Sequence, residues 1–308
     1  MNTRMNRTPF KMVARSQLIA VAALFLLIGA VSLPLMAQDQ GQYTPPPPPP
    51  PAGAQQMPPD QQAQQPPPSF SPQQLDQLVS QLALYPDPLL AQILTASTYG
   101  NEIPDAAAWA NEHASLRGDA LADAIREDNL QWDPSILALL PFPSVLNMMA
   151  RDMNWTNQLG DAVLADRGGV MDAVQRKRHE AYDYGYLRPN PYDNVVNSDG
   201  YIEIQPVNAA YLYVPIYNPA IVFAAPAPGF FIGGAIHFGP AIVIGTPFWA
   251  FGWAHPYFGW REHTIFFDRT PWVRGWYNRG YYVHPYAHPY VGRPGPRVEH
   301  HNFGGHRH

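Results

Sequence analysis

A run of seven prolines at residues 45–51 divides this chain into parts that cannot share one fold. Proline fixes φ and has no backbone N–H to donate, so the run forms neither a helix interior nor a central strand and adopts polyproline II. Residues 38–74 contain 13 Pro and 11 Gln among 37 residues, a composition that cannot bury a core. We therefore predict a disordered Pro/Gln-rich spacer over residues 38–72, with a proline ligand for an aromatic groove of a partner as the alternative.

The chain begins with the pattern of an export signal. Four basic residues precede an uncharged run at residues 18–36: Arg4, Arg7, Lys11 and Arg15. A basic start, an apolar run and a small residue at the cut are typical of a signal peptide. We predict that residues 1–37 are cleaved after Ala37, which places the protein in the periplasm or outer envelope. An uncleaved anchor is the alternative, because the run approaches the roughly 20 residues of a membrane span.

Composition excludes several classes of protein. Cysteine is absent, which excludes disulfide scaffolds, thiolate zinc sites and cysteine nucleophiles. The formal charge is −5, and loss of residues 1–37 removes four bases and no acid, so the remaining chain carries 15 minus 24, or −9. Because a surface that binds nucleic acid needs an excess of basic residues, we predict no nucleic-acid partner.

Residues 73–185 have the periodicity of an α-helical domain. Four apolar residues repeat at the three-and-four spacing of one buried helical face: Leu75, Leu78, Val79 and Leu82. Asp87 and Asp133 each precede a proline, which is typical of an N-cap followed by the first helical residue. We predict six or seven short helices. A final helical stretch over residues 155–182 is expected to be kinked or split by Gly168 and Gly169, with Arg176, Lys177 and Arg178 near its negative C-terminal end.

Several motifs in this block occur together in one known family. They are Leu84-Tyr85-Pro86-Asp87, Gln131-Trp132-Asp133-Pro134-Ser135, Asn154-Trp155-Thr156 and Met171-Asp172-Ala173-Val174-Gln175-Arg176. Over about residues 73–225 the chain resembles the bacterial exported family catalogued as domain of unknown function 3300. The resemblance implies a signal peptide and low-complexity flanks, and it transfers no catalytic residue. The glycine pair at 168 and 169 departs from the family pattern, and the final hundred residues follow none of its motifs.

After the helical block the period changes to two. Ile202 and Ile204 alternate with more polar residues, and Leu212 and Val214 do so again. The pattern predicts a β-hairpin-like extension over residues 186–225, made of these two strands. Pro215 ends the second strand or confines it to a sheet edge.

A long uncharged segment follows. Residues 204–260 contain no Asp, Glu, Lys or Arg. A membrane-associating assembly factor that uses residues 229–253 is therefore one alternative function, although prolines interrupt any continuous span. Together these segments predict an α+β chain: a disordered spacer, a multi-helix α domain, and a β/irregular, Gly- and aromatic-rich region at residues 226–295.

Aromatic residues are concentrated near the end of the chain. Residues 248–290 contain 16 Phe, Tyr and Trp side chains among 43 residues. Flat rings beside arginines suit the sugar rings of cell-wall polymer, and five tryptophans are the candidate ligand-binding residues: Trp249, Trp253, Trp260, Trp272 and Trp276. The alternative is that these rings form a small aromatic core. Predicted partners are accordingly wall polymer, an envelope protein, or a membrane surface in peripheral contact.

Histidine is also concentrated near the C-terminus, where residues 296–308 form a His-rich tail. Imidazole binds zinc, copper or nickel, so weak metal candidates are His284, His288, His300, His301, His306 and His308. The sequence lacks the His-Glu-x-x-His helix of a catalytic zinc site, so a closed site is not predicted.

The motifs of several common enzyme classes are absent from the sequence. The chain contains neither a Gly-x-Ser-x-Gly elbow nor a Ser-x-x-Lys pair, and no Gly-rich loop follows a strand and precedes a helix. We therefore predict no cofactor and a non-enzymatic binding or structural module of the cell envelope. An enzyme that acts on wall polymer is the alternative, and it would need a pocket with two convergent acids.

Overall fold

The computed structural model describes residues 65–227 and 233–280, together with residues 282 and 284. The predicted signal peptide, residues 38–64 of the predicted spacer and the His-rich tail lie outside the described residues. In the described chain, helices occupy the first part and short antiparallel strands the second. The predicted α+β fold class is therefore confirmed.

Eight α-helices lie between residues 72 and 183 of the described chain. They are α1 (Pro72–Val79), α2 (Asp87–Ser97), α3 (Ile103–Glu112), α4 (Gly118–Glu127), α5 (Pro134–Leu139), α6 (Pro143–Arg151), α7 (Met153–Ala165) and α8 (Arg167–Asp183). The predicted number was six or seven, and α4 was not among them, since this helix begins with neither a first-turn proline nor a side-chain cap. Gly118 begins that helix with φ +53°, and Arg117 before it makes no side-chain cap.

Local side chains explain most helix starts. Ser71 caps α1 in a capping box with Gln74, and Asp133 accepts a hydrogen bond from the Ser135 N–H as the predicted N-cap of α5. The prediction for Asp87 is wrong. The N-cap position before α2 belongs to Pro86, and Asp87 is the first helical residue. Its side chain faces the protein interior, where a buried arginine meets it.

The final helical stretch is split at Asp166, just before the two glycines. Asp166 has φ −148° and accepts a hydrogen bond of 2.9 Å from the Gly169 N–H, so it caps α8. Gly168 and Gly169 lie in the first turn of that helix, and a Cβ at Gly169 would collide with the Asp166 carboxylate. Because Gly169 has no Cβ, the Asp166 carboxylate can approach the first turn and cap α8. The two glycines do not bend the helix itself.

Helices α2 and α7 approach closely in the core. A Cβ on Gly160 of α7 would collide with the Ser97 carbonyl oxygen at the end of α2. Helix α1 packs on α8, and α2 packs on both α5 and α7. The buried apolar side chains of these helices are continuous with those of the aromatic region, including Phe248 and Trp272. The described part of the aromatic region therefore belongs to the main core.

The strands of the described chain pair in four small antiparallel sheets. Their bounds are β1 (Asp193–Ser198), β2 (Tyr201–Pro206), β3 (Tyr211–Leu212), β4 (Pro215–Tyr217), β5 (Ile236–Phe238), β6 (Ile242–Val243), β7 (Tyr257–Gly259), β8 (Thr264–Phe267) and β9 (Thr270–Pro271). β1 pairs with β2, β3 with β6, β4 with β5, and β7, β8 and β9 form one meander. A helical turn, α9 (Pro219–Val222), follows β4.

The predicted pairing of the strands around Ile204 and Leu212 is wrong. Ile204 in β2 pairs with Val195, and the hairpin turns at Asp199 and Gly200, which both have positive φ. Leu212 in β3 pairs instead with Ile242, which is 30 residues away in the sequence. Pro215 lies in the two-stranded sheet of β4 and β5, consistent with the predicted edge position.

The uncharged segment forms strands and turns that pack on the helices. Within the described residues, no helix is both long and apolar enough to cross a membrane. A 3₁₀-helix, Thr246–Phe251, lies against α5, and its Phe248 and Phe251 side chains are buried. Residues 228–232 of this segment lie outside the described residues.

Candidate functional site

A buried ion pair links the helical part to the strands. Arg178 in α8 places Nη1 2.6 Å from Asp87 Oδ1 at the start of α2. The guanidinium also donates to the carbonyl oxygens of Ala83 at 2.8 Å, Tyr85 at 3.0 Å and Ile202 at 2.8 Å. Because these acceptors come from the α1–α2 connection and from β2, one side chain joins both segments to α8.

The Asp87 carboxylate completes this link. Its Oδ2 atom accepts hydrogen bonds of 3.3 Å from Gln205 Nε2 and from the Trp260 indole, and Oδ1 accepts one of 3.4 Å from the Ile204 N–H. Burial raises the pKa of Asp87, and the Arg178 guanidinium opposes that rise. Since protein groups occupy both oxygens, Asp87 serves the architecture.

A cleft of about 620 Å³ opens on the other side of Gln205. Its walls come from the loop after β2, from the Thr246–Phe251 helix and from the start of β7. Its lining includes the side chains of Gln205, Asn208, Trp249, His255 and Tyr257. Trp249 is 52% exposed and Tyr257 is 37% exposed, so two aromatic rings are available to a ligand at this surface.

The neighbouring backbone explains why Trp249 is displayed. Gly252 ends the 3₁₀-helix in the left-handed region with φ +93°, and a Cβ there would lie 2.8 Å from the Pro134 carbonyl oxygen. Gln92 Nε2 donates to the Gly252 carbonyl at 2.5 Å, and the Trp253 indole donates to the Ala138 carbonyl at 2.9 Å. The turn is thus anchored to α2 and α5 on one side while Trp249 projects from the other.

The rest of the cleft lining combines polar side chains with proline and aliphatic residues. Tyr257 stacks on Phe266 with 4.9 Å between ring centroids and 7° between planes, which holds its ring in one orientation. His255 lies with its ring centroid 6.2 Å from that of Trp249. Asn208 and Gln205 supply amide groups. Among the described residues that line the cleft, none is Asp, Glu, Lys or Arg. Such a surface can stack on a neutral ring and hydrogen-bond to hydroxyl groups.

Of the other predicted tryptophans, Trp253 also lines the cleft but is nearly fully buried, and the remaining three lie elsewhere. Trp253, Trp260 and Trp272 are at most 4% exposed and belong to the main core. The Arg178 guanidinium lies 5.0 Å from the Trp260 ring, and that of Arg167 lies 4.7 Å from the Trp272 ring. These three tryptophans are therefore core residues, as in the alternative in which the aromatic rings form a core. The fifth, Trp276, is partly buried and donates to the Gln65 carbonyl at 2.8 Å. Trp249 is therefore the candidate whose exposed face lies in the cleft.

A second group of titratable side chains lies beneath the last described residues. Glu102 Oε2 accepts a 2.8 Å hydrogen bond from the Asp133 N–H, and burial raises the pKa of Glu102. His284 is buried against the Phe267 ring, with 4.8 Å between centroids. Burial lowers the pKa of His284 to about 4, so this imidazole is neutral at pH 7. Glu102 and Asp133 both accept hydrogen bonds from backbone N–H groups at the start of α5, so the positions of these two acids have a structural cause.

The predicted metal ligands are not brought together by the described residues. No group of three or more His, Asp or Glu in that part of the chain could hold a metal ion. Of the six candidate histidines only His284 is described, and His288, His300, His301, His306 and His308 lie outside the described residues. A weak metal site in the tail stays a prediction.

Sequence analysis missed four residues of the cleft: Gln205, Asn208, His255 and Tyr257. Gln205 and Asn208 had no signal of their own, since amides are common near turns. His255 and Tyr257 belong to the aromatic- and His-rich region, but composition alone could not separate exposed rings from buried ones. Only the turn at Gly252 and the pairing of β7 with β8 place these side chains beside Trp249.

Comparisons with known proteins agree with the resemblance seen in the sequence. The family described as "Protein of unknown function (DUF3300)" matches residues 71–285, which extends beyond the predicted limit of 225 into the aromatic region. The chain is 32% identical over 187 residues to "Uncharacterized protein YacH" of Escherichia coli (strain K12). The match covers 50% of this chain and 30% of that relative, so the chain spans about a third of the relative's length. No solved structure matches the chain.

Proposed function

Because the chain belongs to the DUF3300 family, whose description assigns no activity, we propose a function from the geometry of its own cleft. The protein binds the neutral glycan chains of cell-wall polymer and catalyses no reaction. The observation that carries this proposal is the exposed indole of Trp249 in an uncharged cleft of about 620 Å³. The predicted signal peptide at residues 1–37 supports a place of action in the periplasm or outer envelope.

The chemistry of the cleft suits a sugar. One face of a pyranose ring presents C–H groups, which pack against an aromatic ring, while its edges carry hydroxyl groups that need hydrogen bonds. Trp249 and Tyr257 supply the rings, and Gln205 and Asn208 supply amide donors and acceptors. The volume lies within the usual range of ligand sites, about 300–1,000 Å³.

The absence of acids from the described lining favours binding over hydrolysis. Glycoside hydrolysis commonly needs two carboxyl groups about 5 to 10 Å apart, flanking the scissile bond. Two acids contact the Gln205 side chain, and neither lines the cleft: Glu203, and Asp87, which pairs with Arg178. A buried carboxylate in an ion pair is poorly placed to donate a proton to a sugar in this cleft.

The proposal is tested by co-sedimentation of the purified protein with cell-wall sacculi. Trp249→Ala is expected to weaken retention roughly tenfold, since the loss of one stacking face corresponds to about 1–1.5 kcal/mol. Tyr277→Ala is the matched control, because Tyr277 is an aromatic residue, 71% exposed, that does not line the cleft. Equal retention of Trp249→Ala and the unsubstituted protein would overturn the proposal. Retention on anionic vesicles but not on sacculi would favour the membrane-associating alternative.

A further inference from the structure

A second cavity, of about 330 Å³, lies between the end of α8 and the first strand. Its walls come from residues 185–190, from β1 and from residues 233–238. Leu187 and Ile236 supply apolar surface, and Asp193 and Arg188 supply charge. The cavity does not share a lining residue with the Trp249 cleft.

Asp193 has an unusual environment for a carboxylate. Its side chain is 2% exposed, and Oδ1 has no hydrogen-bond partner among the described residues. The loop before β1 is held without it, because Asn190 Oδ1 accepts from the N–H groups of Tyr192 at 2.9 Å and Asp193 at 3.0 Å. A buried carboxylate oxygen without a donor is costly, and each such group in a native protein needs an explanation.

One arginine acts electrostatically on Asp193, and a second lines the same cavity. Arg178 favours its ionised form from a distance, but that guanidinium is committed to Asp87 and to three carbonyl oxygens. Arg188 is exposed and lines the cavity, where its Nη1 donates to the carbonyls of Tyr182 at 2.6 Å and Leu187 at 2.9 Å. Asp193 thus lines the cavity without an ion-pair partner of its own in the described part of the chain. The Arg188 guanidinium lies at the wall of the same cavity and is exposed to solvent.

We propose that this cavity binds a small zwitterion, of the free amino acid or peptide-terminus class, with its ammonium group on Asp193 and its carboxylate toward Arg188. An ammonium group donates three hydrogen bonds and supplies the charge that the buried carboxylate lacks. The volume, at the lower end of the range for ligand sites, suits a molecule of this size. Net neutrality of the ligand matches one acid and one base in the site.

Calorimetric titration with four probes tests the proposal on the whole protein at pH 8. Alanine carries both charges, ethylamine only the ammonium, and propionate only the carboxylate, while alanyl-alanine represents a peptide terminus. We expect alanine or alanyl-alanine to bind most tightly, ethylamine at least tenfold more weakly, and propionate more weakly still. Tighter binding of alanine would identify the ligand as a free amino acid, and tighter binding of alanyl-alanine would identify it as a peptide terminus. No heat from alanine, alanyl-alanine or ethylamine would overturn the proposal and leave solvent as the occupant.

Two variants assign the charges. Asp193→Asn keeps the shape of the side chain, and we expect it to weaken binding of the ammonium probes at least tenfold. Asp199→Asn is the matched control, since Asp199 lies at the turn of the same hairpin with its side chain 77% exposed. Arg188→Ala, at an exposed position, should abolish the preference for alanine over ethylamine. Wild-type affinity for the ammonium probes in Asp193→Asn would contradict the role given to Asp193. An unchanged preference for alanine over ethylamine in Arg188→Ala would contradict the role given to Arg188. Each variant is informative by itself if the other fails to fold.

Discussion

Arg178 and Asp87 form an ion pair of 2.6 Å in which the two side chains are 0% and 1% exposed. Arg178 belongs to α8 and Asp87 to α2, and their hydrogen bonds reach β2 and Trp260 as well. The helices, the first hairpin and the aromatic region therefore meet at one pair of charges. Desolvation of such a pair is repaid only when both partners are present with their additional hydrogen bonds.

Replacement of Arg178 by methionine should be strongly destabilising. Asp87 would stay buried without its counter-ion, and removal of one partner from a buried pair costs about 3–5 kcal/mol. Urea unfolding measures the change. Arg176→Met is the matched control, since Arg176 pairs with Asp76 at 2.6 Å at the surface and should lose no more than about 1 kcal/mol. Similar losses for the two variants would contradict the role given to Arg178.

The first hairpin should make stability depend on pH through Asp193. Burial raises the pKa of this carboxyl from 3.8 to about 7 in the folded protein, although the Arg178 guanidinium opposes the rise. Between these two values the folded state therefore binds more protons than the unfolded state. The free energy of unfolding is higher at pH 4 and falls as the pH rises through 7. At about 1.4 kcal/mol per pKa unit the loss reaches at most roughly 4 kcal/mol.

Asp193→Asn removes this dependence. We expect the variant to resemble the unsubstituted protein in unfolding free energy at pH 4 and to exceed it at pH 8, because the amide carries no charge to bury. Urea titrations at several pH values, with no added ligand, give the difference directly. Asp199→Asn, at the exposed turn of the same hairpin, is the control. A constant difference between Asp193→Asn and the unsubstituted protein from pH 4 to pH 8 would contradict the prediction.

Helix positions could be predicted from the sequence where local chemistry determines them. The Asp133-Pro134 step was recognised because an N-cap and a first-turn proline act within a few residues. Strand pairing could not be predicted in the same way. β3 and β6 contain two residues each and pair across 30 positions, and such short strands have no periodicity that identifies a partner.

The buried arginine had a signal that the charge pattern concealed. Residues on one face of α8 recur three or four apart and are buried: Met171, Val174, Arg178 and Ala181. Arg178 was instead grouped with its neighbours Arg176 and Lys177 as a basic end of the helix. Its helical position therefore predicts burial better than its residue type does, whereas its partner Asp87 could be identified only from tertiary packing.

Two glycines should respond in opposite directions to alanine. Gly160→Ala places a Cβ against the Ser97 carbonyl oxygen, so α2 and α7 must separate, at a cost of about 1–3 kcal/mol. Gly168→Ala meets the His263 ring at 3.5 Å and Asp166 Oδ1 at 3.7 Å, which are ordinary contacts, and should gain up to about 1 kcal/mol because alanine favours the helix. Thermal unfolding of both variants checks the prediction. Destabilisation of both by similar amounts would show that close helix contact is not the cause.

Trp249 and Trp253 should separate glycan binding from stability, although they are four residues apart. Trp253 is 4% exposed and donates to the Ala138 carbonyl at 2.9 Å, so Trp253→Phe leaves a buried acceptor without its donor. We expect a loss of about 1–3 kcal/mol in urea unfolding. Trp249→Ala removes an exposed ring and should change stability by no more than about 0.5 kcal/mol.

Retention on sacculi should show the reverse order. Below the unfolding transition Trp253→Phe keeps the turn at Gly252 and the Trp249 ring in place, because Gln92 still binds the Gly252 carbonyl. It should therefore be retained like the unsubstituted protein, while Trp249→Ala is lost from the pellet. A folded Trp253→Phe variant that failed to bind, together with normal retention of Trp249→Ala, would contradict the assignment of the glycan contact to Trp249.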